Sequence, residues 1–362
     1  MLLRFRPNQG KHILVKRWIS LFIGLIFSLF FLWLGFRNLK FDDLWDILRG
    51  INPLWLLLTV PVYAVATYLI SWRWYSLLRP VKDVPPGRLF KIVYIGYMAN
   101  NLLPFRLGEV MRAYVLKRRD AVPIPPTLTT ILIERIFDGL TMLTFIFTAL
   151  IFVDDKIGDT LRTVVTVATP LFFAALLVFL ALASAPNLAR KIYTPIISTL
   201  LPGGPRQKVL SLMEHFLSGL EALRSGRALV GVVVVSFASW TVEATTYWIV
   251  MQAFDFEVSF FVMLLVIGFS TLTTVLPSTS GYVGTFHAAA ILTLTAFDVA
   301  RVDAASFALV IHATLWIQAT LIGFIYLIRE GLHWSDFGKA QAEVEQAELH
   351  PAIEFRSEET LA

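Results

Sequence analysis

Long apolar blocks with almost no charge alternate with short charged stretches along this chain. The blocks long enough to be full spans cover residues 19–36, 54–71, 127–152, 164–185, 228–254 and 304–328. A helix that crosses a bilayer needs about 20 apolar residues, and in lipid only a helix satisfies its backbone polar groups within its own segment. The pattern therefore predicts an all-α polytopic membrane protein with about six full spans.

Two further apolar blocks are interrupted by polar residues, and the pieces beside each interruption are too short to span. Residues 92–103 and 106–116 flank Pro104, and residues 260–276 and 286–297 flank the glycine-rich stretch 277–285. Proline lacks a backbone donor and stops the first piece. We interpret each block as a re-entrant or broken-helix hairpin, the two entering from opposite sides. Eight spans, two of them broken, is the alternative topology.

The charged stretches predict the orientation. Basic residues fill the N-terminus (residues 1–18), the loop 186–227 and the stretch after the second span, which carries Arg73, Arg79, Lys82, Arg88 and Lys91. Cytoplasmic loops are enriched in Lys and Arg, so we place these stretches and both termini in the cytoplasm and the more acidic loops outside. Residues 209–223 have the spacing of an amphipathic helix, either on the membrane surface or packed on neighbouring loops. Residues 330–362 form a charged cytoplasmic tail, solvated or partly helical.

Composition narrows the class of function. The chain is 57% apolar and 16% charged, against about 25% charged in soluble domains. It has no cysteine, which excludes disulfides and thiolate metal sites, and its net charge of +5 is loop charge rather than a nucleic-acid surface. The sequence contains no nucleotide-binding signature and no metal-ligand spacing. We therefore predict neither an enzyme nor a cofactor or metal, and a localisation in the bacterial cytoplasmic (inner) membrane.

The first hairpin holds the most unusual polar residues: Asn100, Asn101, Pro104, Arg106, Gly108, Glu109 and Arg112. A charged side chain at membrane depth costs roughly 3 kcal/mol, so such residues normally face a cavity or a partner. Glu109 lies three residues from each arginine, and we expect it to neutralise one of them. The other is then free to bind a phosphate or carboxylate. The asparagines either cap the returning helix or donate to the same ligand. A structural ion pair that closes the hairpin is the alternative.

A second group of charges lies two to three turns into the predicted span 127–152. It comprises Glu134, Arg135 and Asp138, and an internal ion pair that locks this helix to the hairpin is the favoured interpretation. Glu243 is the most isolated acid in the apolar blocks, and we expect an arginine as its partner.

The third group is the break between the two halves of the second hairpin. It contains Pro277, Ser278, Ser280, Gly281 and Gly284, and His287 follows at the start of the next half-helix. Freed backbone groups and a half-helix N-terminus are typical of ligand sites in transporters. A single histidine such as His287 or His312 is more often a hydrogen-bonded core residue than a proton relay.

These residues resemble the lysylphosphatidylglycerol synthase transmembrane region, or flippase-like, family. The matching positions are Asn101, Pro104, Arg106, Gly108, Glu109 and Arg112, then Glu134, Arg135 and Asp138, then Pro277, Ser278, Gly281, Gly284 and Phe286. The resemblance extends over residues 21–328. His287 and the pair Ile311-His312 depart from the family pattern, which separates this chain from the lysyl-lipid members.

The resemblance implies a membrane domain that moves a polar lipid, with an anionic headgroup, between leaflets. A membrane lipid is then the substrate, and a separate lipid-synthesising enzyme is a possible partner. Some members are connected with hopanoid lipids or lipid-linked sugars. A membrane-embedded transferase, with Glu109, Glu134 or Asp138 as acid or base, and an accessory subunit are therefore the competing interpretations.

Overall fold

The computed structural model describes residues 24–37, 39–104, 106–153, 159–201, 225–276 and 279–349, and the isolated positions 22, 203, 206, 207, 209, 210 and 213. The helices are α1 (Gly24–Phe36), α2 (Phe41–Gly50), α3 (Pro53–Leu78), α4 (Pro86–Leu102), α5 (Leu107–Asp120), α6 (Ile124–Phe152), α7 (Asp159–Ser184), α8 (Pro186–Leu200), α9 (Gly226–Met251), α10 (Phe260–Thr273), α11 (Thr285–Thr295), α12 (Arg301–Arg329) and α13 (Ser335–Leu349). The described residues contain no β-strand.

The long helices confirm a helical polytopic membrane protein. Four of them, α3, α6, α9 and α12, have 26–29 residues and are apolar enough to cross a bilayer. They correspond to four of the six predicted spans. Helix α7 corresponds to the predicted span 164–185, with its apolar part at Thr169–Ala181, and α1 to the described part of the predicted span 19–36.

Helix starts follow local sequence signals. Proline occupies a first-turn position in α3, α4, α6 and α8, where its missing donor costs nothing. The side chains of Asn52 and Ser225 accept hydrogen bonds from the first turns of α3 and α9. Because Pro86 starts α4, this helix has 17 residues rather than the dozen predicted from residue 92.

Helices α4 and α5 form hairpin 1. An ion pair between Arg88 and Asp120 (2.8 Å) joins its two distant ends, and the tip lies between Leu102 and Leu107. Near the tip, a Cβ added to Gly108 would lie 2.1 Å from the carbonyl oxygen of Gly96. The two helices therefore cross backbone to backbone, which only glycine allows at this distance.

Helices α10 and α11 form hairpin 2, which points the other way. The base of hairpin 2 lies beside the end of α6, because Val262 and Phe297 line the same surface cavity as Phe152. Hairpin 1 instead packs on the first half of α6, where Arg112 reaches Glu134. Helix α6 is about 43 Å long at 1.5 Å per residue, so the hairpins enter from opposite ends of the bundle, as predicted.

Two predicted loops differ from the structure, and the tail takes the partly helical form. The predicted outer loop 37–53 contains helix α2, whose Leu44 is buried. In the loop 186–227, residues 186–200 form α8, and the predicted amphipathic helix at 209–223 lies largely outside the described residues. The tail is not simply solvated, because α13 packs on hairpin 1 through the buried side chains of Phe337 and Val344.

Candidate functional site

The tips of the two hairpins meet at a cavity of about 240 Å³ inside the bundle. The lining comes from α3, α4, α6, α9, α10, α11, α12, the tip of hairpin 1 and the break before α11. Its charged and amide residues are Asn100, Asn101, Arg106, Arg135, Asp138 and Glu243, and its aromatic residues are Tyr63, Tyr97, Trp240, Tyr247, Tyr282, Phe286, His312 and Trp316. A cavity that presents polar side chains between apolar helices is the expected position for functional charges in a membrane.

The two asparagines hold the tip of hairpin 1. The Oδ1 atom of Asn100 accepts a hydrogen bond from the backbone N–H of Gly108 at 2.7 Å, so Asn100 caps the returning helix α5. Asn101 donates to the hydroxyl of Thr320 at 3.0 Å and to the carbonyl oxygen of Trp316 at 3.3 Å, which ties the tip to α12. Capping, one of the two predicted roles, is thus observed for Asn100.

Arg106 connects hairpin 1 to hairpin 2. Its Nη2 donates to the carbonyl oxygen of Thr274 at 2.6 Å, and its guanidinium lies 5.6 Å from the ring centre of Tyr282. Its backbone is left-handed, with φ of 50°, which is uncommon outside glycine. Among the described residues Arg106 has no carboxylate partner.

The predicted charge balance within hairpin 1 is wrong. Arg112 pairs with Glu134 of α6, and Glu109 forms no ion pair with any described residue. The physical reason lies in the backbone. Arg106 precedes α5 in a left-handed conformation, so the spacing of three residues does not bring its side chain onto the helix face of Glu109. One carboxylate oxygen of Glu109 is buried without a hydrogen-bond partner.

A buried quartet of charges joins α3, hairpin 1 and α6. The guanidinium of Arg73 lies 2.7 Å from Asp138 and 3.5 Å from Glu134, and Arg112 completes the set on the other oxygen of Glu134. Trp74 stacks on Arg112 at 3.8 Å. Glu134 thus joins α6 to hairpin 1, as the favoured interpretation has it, whereas Asp138 joins α6 to α3 instead.

Arg73 corrects the sequence analysis, which placed it in a cytoplasmic loop. Helix α3 continues past the predicted end at residue 71 to Leu78, and Arg73 is 0% exposed. The sequence did contain a signal that Arg73 lies within a helix, because apolar residues continue on both sides of Trp72-Arg73-Trp74. A basic residue that ends a span is normally followed by a polar loop.

Arg135 and Glu243 face the cavity from α6 and α9. Arg135 contacts Asp138 at 3.5 Å, and its side chain is 35% exposed. Glu243 forms no ion pair with any described residue, so the expected arginine partner is not observed. The cavity therefore holds an acidic side chain without an ion-pair partner among the described residues.

The glycine-rich break brings backbone close to its neighbours. Gly281 and Gly284 have positive φ angles of 71° and 97°, and a Cβ on Gly284 would lie 2.4 Å from the carbonyl oxygen of Ser28. Ser280 lies in the short turn before Tyr282, while Pro277 and Ser278 lie outside the described residues. Of the predicted break residues, Gly281 lines the cavity, whereas Ser280 and Gly284 do not.

His287 is not isolated. Its Nε2 lies 3.2 Å from Nδ1 of His312, and its Nδ1 faces the backbone N–H of Gly284 at 3.4 Å. His312, rather than His287, lines the cavity. Sequence analysis missed this pairing because the two positions lie on different helices with no local signal to connect them.

Residues 21–323 match the model of the lysylphosphatidylglycerol synthase transmembrane region. The chain belongs to this family. The match extends from α1 to α12 and includes both hairpins and every described residue that lines the cavity.

Three curated relatives of the chain differ from one another in length and in name. Glycosyltransferase AglD of Haloferax volcanii is 25% identical over 85% of this chain, which spans about half (54%) of that protein. A UPF0104 membrane protein of Methanocaldococcus jannaschii is 22% identical over 84% of the chain and 94% of its own length. A UPF0104 membrane protein of Methanothermobacter thermautotrophicus is 26% identical over 66% of the chain and 74% of its own length.

Proposed function

We propose that this protein binds a polar lipid by its anionic headgroup and translocates it between the leaflets of the bacterial inner membrane. The observation that carries the proposal is the cavity at the meeting point of two opposed hairpins, with Arg106 and Arg135 in its wall. Helices that break near mid-depth and present polar groups to a shared cavity are the usual construction of a transport site.

The arginines give the site its preference for an anion. A guanidinium binds phosphate through two parallel hydrogen bonds, and both contacts strengthen where water is excluded. Among the described residues, Arg106 contacts only neutral groups, the carbonyl and hydroxyl oxygens of Thr274 and the ring of Tyr282, whereas Arg73 and Arg112 are engaged by buried carboxylates. Arg106 is therefore the arginine most available to a headgroup, and Arg135 supports it from α6.

The size of the cavity suits a headgroup rather than a whole lipid. Pockets for drug-sized ligands measure about 300–1,000 Å³, and this one measures about 240 Å³. Val275 lines it and is 72% exposed, so the cavity opens sideways past the end of α10. Acyl chains then remain in the bilayer while the headgroup crosses.

The orientation follows from the two ends of the bundle. The end that carries the base of hairpin 1 bears Arg88, Lys91, Arg118 and Arg119, whereas the opposite end bears Asp255, Glu257 and Asp303. By the positive-inside rule, we propose that the first end faces the cytoplasm.

A membrane-embedded role in lipid-linked sugar metabolism is the second candidate. It is favoured by the name of the relative AglD, a glycosyltransferase. In that case the protein acts as a transferase or as an accessory subunit beside a separate lipid-synthesising enzyme. Asp138 and Glu243 are the carboxylates that face the cavity and would meet such a substrate.

A leaflet-resolved assay tests the first candidate. The purified protein is reconstituted into phosphatidylcholine vesicles with a trace of fluorescent phosphatidylglycerol, and dithionite is added outside. Without translocation, only the outer-leaflet label is bleached, and with translocation nearly all of it is. Mass spectrometry of the same lipids detects a transferase: a lipid that changes mass without changing leaflet would contradict our proposal.

Two glycine variants show whether the cavity is the route. A Cβ at Gly139, in the cavity wall, meets no atom within 4 Å, so Gly139→Leu adds side-chain volume to the cavity from a backbone position with open space. Gly231→Leu is the matched control, because Gly231 also has open space around it and lies on the exposed side of α9. We expect Gly139→Leu to stop bleaching of the inner leaflet and Gly231→Leu to leave it unchanged. Equal transport by both variants would reject the cavity as the route.

A further inference from the structure

We propose that Arg106 is a latch between the hairpins which the phosphate of the lipid headgroup opens, and that hairpin 2, not hairpin 1, is the half that moves. The inference rests on the proposed function and adds which group releases the cavity and which element responds. It starts from the hydrogen bond between Arg106 and the carbonyl oxygen of Thr274.

That hydrogen bond is strong enough to hold the tips together and weak enough to be exchanged. The acceptor is a neutral carbonyl at the end of α10, where the helix dipole leaves partial negative charge. A phosphate oxygen carries a full charge, and charge-assisted hydrogen bonds are roughly twice as strong as neutral ones. A phosphate that enters the cavity therefore takes the guanidinium from Thr274 and leaves the tips without this direct polar link.

The stacking on Tyr282 belongs to the same contact. The guanidinium of Arg106 lies 5.6 Å from this ring, within the range of cation–π attraction. Both partners of Arg106, Thr274 and Tyr282, belong to the tip of hairpin 2, and both face the cavity. When the guanidinium turns to a headgroup, hairpin 2 loses both contacts at once.

Hairpin 1 is fixed to the rest of the bundle by ion pairs. Arg112 pairs with Glu134 at depth, and removing one partner of a buried pair costs about 3–5 kcal/mol. At its base, Lys91 and Arg119 contact Glu330, and Arg118 contacts Asp336 at 2.9 Å. Movement of hairpin 1 would break several of these contacts.

Hairpin 2 has no comparable anchor. Among its described residues none forms an ion pair, and it is held by neutral hydrogen bonds such as those between Thr279 and Ser28 and between His287 and His312. Its main packing surface is apolar: Gly268 brings α10 against Ile146 of α6. Packed helices that share only apolar surface can slide without leaving a charge unpaired.

Distances between spin labels test both parts of the proposal, and the absence of native cysteine makes labelling simple. The reporter pair is Gly87→Cys on the base of hairpin 1 with Leu292→Cys on hairpin 2. The reference pair is Gly87→Cys with Leu321→Cys on α12. A Cβ at Gly87 meets no atom within 4 Å, and Leu292 and Leu321 are exposed, so none of the labels disturbs the core.

The measurement uses maltoside micelles, which contain no phosphate, and two added probes. Dihexanoyl phosphatidylglycerol carries the phosphate, and dihexanoylglycerol lacks it. We expect the phosphate probe to shift the reporter distance by about 5 Å, the scale of a one-turn displacement, and to leave the reference distance unchanged. The phosphate-free probe shifts neither distance. Arg106→Gln with the reporter pair shows the shifted distance before any probe is added.

Any other result contradicts one part of the proposal. If the reference distance shifts as well, hairpin 1 moves and the assignment of the moving half is wrong. If the phosphate probe leaves the reporter distance unchanged, or Arg106→Gln behaves as the parent does, the latch is wrong. Translocation by the same protein in the dithionite assay would then show that the proposed function stands without the latch, whereas a shift without translocation would reject the function alone.

Discussion

Arg73 of α3 lies 2.7 Å from Asp138 of α6, with both side chains removed from solvent. The same carboxylate oxygen accepts a hydrogen bond from the indole N–H of Trp240 at 2.8 Å, and Trp240 lines the cavity. Arg73 also donates to the hydroxyl of Ser236 on α9. One arginine outside the cavity thus positions a carboxylate and an aromatic ring inside it.

Removal of Arg73 alone should destabilise the protein more than removal of both Arg73 and Asp138. In Arg73→Gln, Asp138 keeps a buried charge without its closest partner, and we expect a loss of about 3–5 kcal/mol. The double variant Arg73→Gln with Asp138→Asn removes both charges and should recover much of that loss. Unfolding in mixed detergent micelles measures both variants.

A surface ion pair is the matched control for this comparison. Arg88 and Asp120 lie 2.8 Å apart, and the side chain of Arg88 is 39% exposed. Arg88→Gln should cost at most about 1 kcal/mol, because exposed pairs contribute little. A double variant at Arg73 and Asp138 that is no more stable than Arg73→Gln would show that the arginine acts by packing rather than by charge.

The fold was largely predictable because lipid restricts it. Apolar blocks predicted the long helices, and polar breaks at Pro104 and at the stretch 277–285 predicted two opposed hairpins. Boundaries were predicted less well. Hydropathy placed the end of α3 before Arg73 and the start of α4 after Pro86, and both helices are longer than that. Helix α3 continues because the charge of Arg73 is satisfied by other helices. Helix α4 begins earlier because Pro86 lies in the first turn, where its missing donor costs nothing.

Gly108→Ala should open the tip of hairpin 1. A Cβ there would lie 2.1 Å from the carbonyl oxygen of Gly96 and 2.6 Å from the side chain of Asn100, so the helices must separate. We expect the free energy of unfolding to fall by about 1–3 kcal/mol, the usual cost of overpacking. Gly87→Ala, on the same hairpin but in open space, should be neutral or stabilising by up to about 1 kcal/mol. Thermal unfolding in micelles separates the two, and equal midpoints would contradict the close crossing.

The docking of α13 should depend on pH. The backbone N–H of His333, with Lys339 and Arg118, lowers the pKa of Asp336 to about 2. Because the docked state lowers this pKa, the stabilisation is complete above the ordinary value near about 4 and is lost as the pH falls through about 2. Hydrogen exchange of the α13 amides, normalised to the intrinsic rate at each pH, measures the release.

A substitution reports on the same contact at neutral pH. Asp336→Asn should release α13 and speed tryptic cleavage at Lys339, whereas Glu343→Gln, at an exposed pair with Lys117, should change it little. Equal protection of α13 in Asp336→Asn and in the parent protein would show that the apolar contacts of Phe337 and Val344 are sufficient.

The sequence singled out several residues that line the cavity, but not how they pair. Arg106, Arg135, Asp138 and Glu243 were all singled out by their charge within apolar blocks, and all line the cavity. Their partners come from other helices, and a single sequence has no signal for which helix faces which. The spacing of Glu109 and Arg112 suggested a pair, yet Arg112 points to α6 instead.

Glu243 provides the sharpest test of the headgroup charge. It has no ion-pair partner among the described residues, so Glu243→Gln should leave stability unchanged, in contrast to Asp138→Asn, which leaves Arg73 without its closest partner. When Glu243 is ionised, its negative charge in the cavity opposes an anionic headgroup. At alkaline pH its removal should therefore tighten binding of dihexanoyl phosphatidylglycerol about fivefold, which corresponds to about 1 kcal/mol. Glu257→Gln, an exposed acid outside the cavity, is the control. Calorimetric titration in maltoside micelles measures all three variants. Weaker binding by Glu243→Gln would mean that the carboxylate itself holds part of the headgroup, and the preference for an anion would then have to be withdrawn.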